Sequence, residues 1–172
     1  MKKGEIDVLF TQEQIQKRVA ELARQMDDDF MGRELIVVGV LKGAFIFMSD
    51  LVRNIKIPLA CDFLRVASYE HDKNTGVIRM EFDTTQPITG KDVLLVEDIV
   101  DSGRTLRHIL KHMETKEPRS IKVASLLYKE TGAGVKKLVD YIGFETPNKY
   151  VIGYGLDSEG IYRSLPYIGA FK

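Results

Sequence analysis

Apolar residues recur at Ile15, Val19, Leu22, Met26 and Phe30, the spacing of one helix face, and predict a helix over residues 11–30. Thr11 with Gln14 has the form of a capping box, and Gly32 lies where such a helix stops. Residues 36–40, Ile-Val-Val-Gly-Val, are a continuous apolar run of the kind found in a strand covered on both faces. A helix over 44–55 follows, ended by Pro58. Residues 59–69 read as extended and 77–83 alternate as a second extended stretch, with a polar, mobile loop at 70–76 between them. Residues 93–96 form the clearest buried strand, 105–114 the helix after it, and 121–128 the next strand. A polar, glycine-bearing stretch then precedes a last strand at 150–156 and an irregular tail.

Strands alternating with helices imply an α/β architecture, a parallel sheet covered on both sides. In such sheets ligands bind at the carboxyl ends of strands, where the strand order reverses. The chemistry is therefore to be sought just after each apolar run.

The chain has 172 residues, enough for one domain with a real core. Lys plus Arg and Asp plus Glu both number 25, and this balance argues against a nucleic-acid binder, which carries a basic excess. The single Cys61 cannot form an intrachain disulfide, and its apolar surroundings at 58–64 predict a buried, inert thiol. The charged start lacks the apolar stretch of a signal peptide, and no segment approaches a membrane span. A cytoplasmic location without membrane partners is expected.

One segment carries the chemistry. The strand at 93–96 delivers two adjacent carboxylates, Glu97 and Asp98, to the sheet edge. A tight turn of small residues, Asp101-Ser-Gly-Arg-Thr105, then opens a helix whose unpaired amides and positive dipole end make an anion cradle. Carboxylates beside a phosphate cradle would repel it unless the ligand supplies a reason. A sugar phosphate does: its phosphate takes the cradle while its hydroxyls meet the acids, directly or through a metal. Taken singly, Asp98 or Asp101 could equally be a helix cap.

The run Val96-Glu-Asp-Ile-Val-Asp-Ser-Gly-Arg-Thr105 resembles the signature with which type I phosphoribosyltransferases bind phosphoribosyl pyrophosphate (PRPP). Further segments resemble the hypoxanthine-guanine phosphoribosyltransferases: Val40-Leu-Lys-Gly43 their pyrophosphate loop, Ser68-Tyr69 their closing loop, Ala124-Ser-Leu-Leu-Tyr-Lys129 the strand with their base-recognition lysine. Lys149-Tyr-Val-Ile-Gly-Tyr-Gly-Leu-Asp157, with Arg163 beyond it, resembles their purine and metal segment. The resemblance implies the type I fold: a mainly parallel twisted sheet flanked by helices, with a small hood from about residues 1–10 and 140–172. The hood would include a strand at 6–10, and 1–172 would be one domain. It implies purine salvage, the magnesium-dependent joining of PRPP to a 6-oxopurine, in a homodimer or homotetramer.

By the same resemblance Glu97 and Asp98 hold the ribose hydroxyls, partly through Mg²⁺. Asp101, Ser102, Gly103, Arg104 and Thr105 hold the 5′-phosphate, and Asp101 also takes or shares the N7 proton of the purine. Leu41, Lys42 and Gly43 face pyrophosphate, and the peptide joining Leu41 to Lys42 can be cis in the family. Lys129 donates to the exocyclic oxygen, which favours 6-oxopurines over adenine. Tyr150 stacks on the base and Val151 meets it through its backbone. Asp157, beside the purine, ligates a second magnesium, and Arg163 contacts pyrophosphate. Residues 68–76 close over the substrates and keep water from the sugar cation. Gly155 departs mildly from the resembled pattern and is expected to add local freedom beside Asp157.

His108 and His112 have the spacing of a zinc pair, but the glutamate and third ligand of such sites are missing, so a solvated helix face is expected. The glycine pairs at 132–134 and 153–155 lack the third glycine of a dinucleotide loop. The alternatives are a xanthine-accepting enzyme and, in another class, an RNA-binding attenuation regulator that keeps the fold. The second needs a basic face that the neutral net charge does not supply.

Overall fold

The computed structural model describes residues 4–69, 77–129 and 134–172. The elements in chain order are β1 (Ile6–Phe10), α1 (Gln12–Asp29), β2 (Leu35–Leu41), α2 (Phe45–Asn54), β3 (Leu59–Tyr69) and β4 (Val77–Phe82). They continue with β5 (Asp92–Val100), α3 (Arg104–Glu114), β6 (Ser120–Lys129), a short 3₁₀ turn (Lys136–Leu138), β7 (Tyr141–Thr146), β8 (Val151–Ile152) and β9 (Ile168–Phe171). The expected closing loop at 70–76 lies outside the described residues, and Ser68 and Tyr69 end β3, paired with Ile78 and Val77 of β4.

Six strands form the main sheet in the order β4-β3-β2-β5-β6-β7, with only β4 antiparallel to its neighbour. The continuous apolar runs are explained by burial on both faces. Along β2, Leu35 and Val37 join a core with α1 and α2, while Ile36, Val38 and Val40 join a second core with α3. From β2 the chain steps outward to β3, then returns to place β5 on the other side of β2. The strand order therefore reverses between β2 and β5, and their carboxyl ends border the crevice.

α1 starts as its sequence indicates: Thr11 and Gln14 exchange the two capping-box hydrogen bonds, and Ile15, Val19, Leu22 and Met26 are buried. A second sheet, β1-β9-β8, packs on the first core through Val151 and Ile168, joined there by Tyr154 and Leu156 just after β8, and Phe10 stacks on Phe144 at 4.3 Å. None of the described helices is long and apolar enough to cross a membrane.

Several expectations need correction. The stretch after residue 129 holds β7, an edge strand paired in parallel with β6, so Tyr141–Thr146 belongs to the main sheet and not to the hood expected at 140–172. Gly143 and Glu145 interrupt its apolar run, which hid it. The tail contains β9, only four residues long. The strand expected at 150–156 shrinks to Val151–Ile152, because Gly153, Tyr154 and Gly155 all take positive φ. Cys61 is exposed, not buried. It lies on the outward side of β3 while its neighbour Asp62 is buried, accepting from the amides of Thr85 and Gln86 at 2.8 Å each. Period-two alternation in β3 overrode the local apolar composition. Partial burial still raises the thiol's pKa, in keeping with an unreactive group.

Candidate active site

The carboxyl ends of β2 and β5 enclose a cavity of about 380 Å³. Leu41, Lys42, Gly43, Glu97, Asp98, Asp101, Ser102, Gly103, Arg104, Thr105, Asp157 and Arg163 all line it, so the structure brings most of the sequence-derived residues into one place. Val66, Ile99 and Val100 also line it. Ile99 and Val100 lie inside the run at 96–105, whereas nothing in the sequence marks Val66, which β3 brings in from another segment.

β5 runs through the acids to Val100, so Glu97 and Asp98 are strand residues, held rigidly by the ladder to Ser125 and its neighbours in β6. Glu97 is only 5% exposed. Burial, followed by the adjacent Asp98 charge, drives its pKa well above the carboxylate range. Burial likewise raises Asp98 to about 6, against the pull of the Ile99 amide and the Arg163 guanidinium. Two acids that resist ionising in the same crevice are suited to meeting a cation or hydroxyl donors.

Gly103 is the N-cap of α3, in the left-handed region at φ 69, and no side chain caps the helix. The helix-cap alternative for Asp101 therefore fails. Its carboxylate is half exposed, with the Lys129 ammonium 4.0 Å away. A Cβ on Gly103 would lie 2.7 Å from Val135 Cγ1, which with the positive φ requires glycine here. The first turn of α3 faces the cavity with its amides and dipole, and the Ser102 hydroxyl accepts from the Arg104 N–H at 3.5 Å.

On the β2 side the Leu41–Lys42 peptide is cis. A Cβ on Gly43 would lie 1.5 Å from Asp98 Oδ2, so the loop backbone and the acid share a space that admits no side chain. Gly155 comes just as close from the opposite wall. At φ 102, its Cβ would lie 2.1 Å from the Gly43 carbonyl oxygen. The expectation that Gly155 adds freedom is thus corrected, since close packing demands it. Arg163 donates to the Gly155 carbonyl at 2.6 Å and pairs with Asp157 Oδ1 at 2.6 Å, while Asp157 Oδ2 accepts from the Gly160 amide at 2.7 Å.

Lys129, Tyr150 and Val151 do not line this cavity. Lys129 ends β6 and approaches it through Asp101. Tyr150 is 63% exposed and donates to the Asp157 carbonyl at 2.8 Å, and Val151 is buried as a strand residue of the second sheet, paired with Ala170. His112 pairs with Asp83 at 2.8 Å, and no cluster of three metal-ligating side chains occurs among the described residues.

A family model described as the phosphoribosyl transferase domain matches residues 6–159. A hypoxanthine-guanine phosphoribosyltransferase of Dictyostelium discoideum is 45% identical over 96% of this chain and 95% of its own. One of Mycobacterium avium is 45% identical over 94% and 83%. The chain belongs to the phosphoribosyltransferase family. A solved hypoxanthine-guanine phosphoribosyltransferase of Bacillus anthracis superposes on this phosphoribosyltransferase with a TM-score of 0.92 at 40% identity, covering 98% of this chain and 100% of the other. These relatives place the enzyme in the hypoxanthine-guanine branch and in purine salvage, with the type I fold.

Proposed function

We propose that this phosphoribosyltransferase transfers the 5-phosphoribosyl group of PRPP to hypoxanthine or guanine, releasing pyrophosphate and IMP or GMP, with Mg²⁺ as cofactor. The observation that carries the reading is the first turn of α3 set beside the buried Glu97 and half-buried Asp98 in one cavity. The turn at 101–105 takes the 5′-phosphate on backbone amides, with Ser102 and Thr105 hydroxyls beside it. Glu97 and Asp98 face the ribose hydroxyls. Residues 41–43 take the pyrophosphate, whose departure leaves positive charge at the anomeric carbon. Asp101 lies free of any capping duty and can share the purine's N7 proton as N9 attacks.

The residues fit magnesium. Hard oxygen donors and two acids with raised pKa suit a divalent ion, which keeps waters and is held by one or two carboxylates plus substrate oxygens. Magnesium, when bound, supplies charge neutralisation at the leaving pyrophosphate. Arg163 leaves Asp157 for pyrophosphate in this reading, freeing Asp157 Oδ1 for the second ion and the base side.

Lys129, with its side chain largely buried at the end of β6, donates to the 6-oxo group, and Tyr150 offers an exposed ring for stacking beside the Val151 backbone. The test is an assay of PRPP with radiolabelled hypoxanthine, guanine, xanthine and adenine, each with and without Mg²⁺. Turnover of hypoxanthine or guanine only with Mg²⁺ is expected; preference for adenine, or no turnover of any base, overturns the reading.

A further inference from the structure

Residues 153–157 form a strap across the cavity from the loop at 41–43. Its inner surface touches that loop, since a Cβ on Gly155 would collide with the Gly43 carbonyl. The Tyr154 and Gly155 amides tie it to the Leu165 and Arg163 carbonyls at 2.9 Å each. The Tyr154 side chain turns toward α2, the helix that starts two residues after Gly43. It is 5% exposed, and its hydroxyl donates to Asp50 Oδ2 at 2.7 Å across 104 positions of chain. Tyr154 holds φ 49, which a side chain this large adopts only where its surroundings impose it. Burial and the Asp50 acceptor push the phenol's pKa far above its usual value, so it stays a donor. Arg53 Nη1 lies 3.5 Å from Asp50 Oδ1 and keeps that carboxylate company if Tyr154 lets go.

We propose that Tyr154 and Asp50 are positioning residues for the pyrophosphate end of the site, fixing the strap that carries Asp157 against the loop at 41–43. The strap and the loop pack as one wall because Gly155 meets the Gly43 backbone with no side chain between them. The tether joins the strap to the helix that follows the loop, so losing it loosens the loop from the strap side and from its α2 end. The purine end, built from Lys129 at the end of β6 and the Tyr150 ring, meets the strap only through the Tyr150 hydroxyl on the Asp157 carbonyl, so it should feel the loss of this bond less. The inference rests on the reading that residues 41–43 receive pyrophosphate.

Tyr154→Phe keeps the ring and removes the hydroxyl. Hydrogen exchange of the Ala44 and Phe45 amides, which donate across the loop to the carbonyls of Val40 at the end of β2 and of Lys42 at 3.3 Å each, should speed up roughly fivefold. KM for PRPP should rise roughly fivefold, the scale of one hydrogen bond to a charged acceptor partly felt at the site, while KM for hypoxanthine stays within about twofold. Asp50→Ala, which removes the acceptor, should give the same split, and the double variant should be no worse than either single one. Unchanged exchange at Ala44 and Phe45, an equal rise in both KM values, or a lower Tm with neither readout moving would each overturn the inference. Should the wild-type enzyme fail to use PRPP, the functional reading falls, while the exchange experiment still decides whether the tether holds the loop.

Discussion

Replacing Asp98 with asparagine takes one charge out of a crevice that disfavours it, so the unliganded enzyme should become more stable while losing its reaction. Asp98 titrates at about 6 in place of 3.8, chiefly because burial disfavours the carboxylate, with Asp157 adding repulsion. A carboxyl whose folded value is raised binds its proton more tightly folded than unfolded. Its penalty is absent below about pH 4, grows as pH rises from about 4 to 6, and is fully present above. The whole gap corresponds to ~3 kcal/mol. Asp98 is only half-buried, and screening from the cavity side reduces this to ~1–2 kcal/mol. At 172 residues that is a gain in Tm of ~3–6 °C. The amide oxygen of asparagine can still accept the Ile99 N–H, which now reaches Asp98 Oδ1 at 2.8 Å, so no local bond is lost. Thermal melts of both proteins without ligand or divalent ion, at pH 7.5 and pH 4, make the assay. The variant should melt higher at pH 7.5, match the wild type at pH 4, and turn over PRPP at least ~10²-fold more slowly. A variant less stable at pH 7.5, or one equally stabilised at both pH values, refutes the reasoning.

Gly43→Ala puts a methyl 1.5 Å from Asp98 Oδ2, so loop or acid must shift by about 2 Å; kcat/KM for PRPP should fall ~10²-fold in steady-state assays. Asp101→Asn should lower kcat by ~10²-fold or more with little change in PRPP binding by calorimetry. Because Asp101 does not cap α3, its unfolding free energy in urea should stay within ~0.5 kcal/mol of wild type. Asp83 pays for burial, but the Lys116 and His112 hydrogen bonds prevail and hold its pKa at about 2. That contribution is present above about pH 4 and lost as pH falls toward 2. Asp83→Asn should therefore cost ~1 kcal/mol at pH 7 after screening, and the difference should shrink between pH 4 and 2 in urea titrations.

Wherever the physics is local, the chain announces its own structure. Parallel strands buried on both faces must be apolar throughout, so β2 and the first half of β5 stand out, and a capping box marks the start of α1. The turn at 101–105 was legible because one strand end, one turn and one helix start, all contiguous, build it. Short or edge strands such as β9 and β7 carry too little pattern to be seen alone; β7 is completed by its pairing to β6. Cys61 shows the same limit from the other side: its apolar neighbours suggest burial, but which face of β3 is covered depends on helices far away in sequence. Folding alone decided that Gly155 abuts Gly43, that Arg163 holds Asp157, and that Tyr154 reaches Asp50. Residue type and spacing set local conformation within a few turns of chain. Ångström-scale approach between distant segments follows from how the two cores pack, and no single segment contains that information.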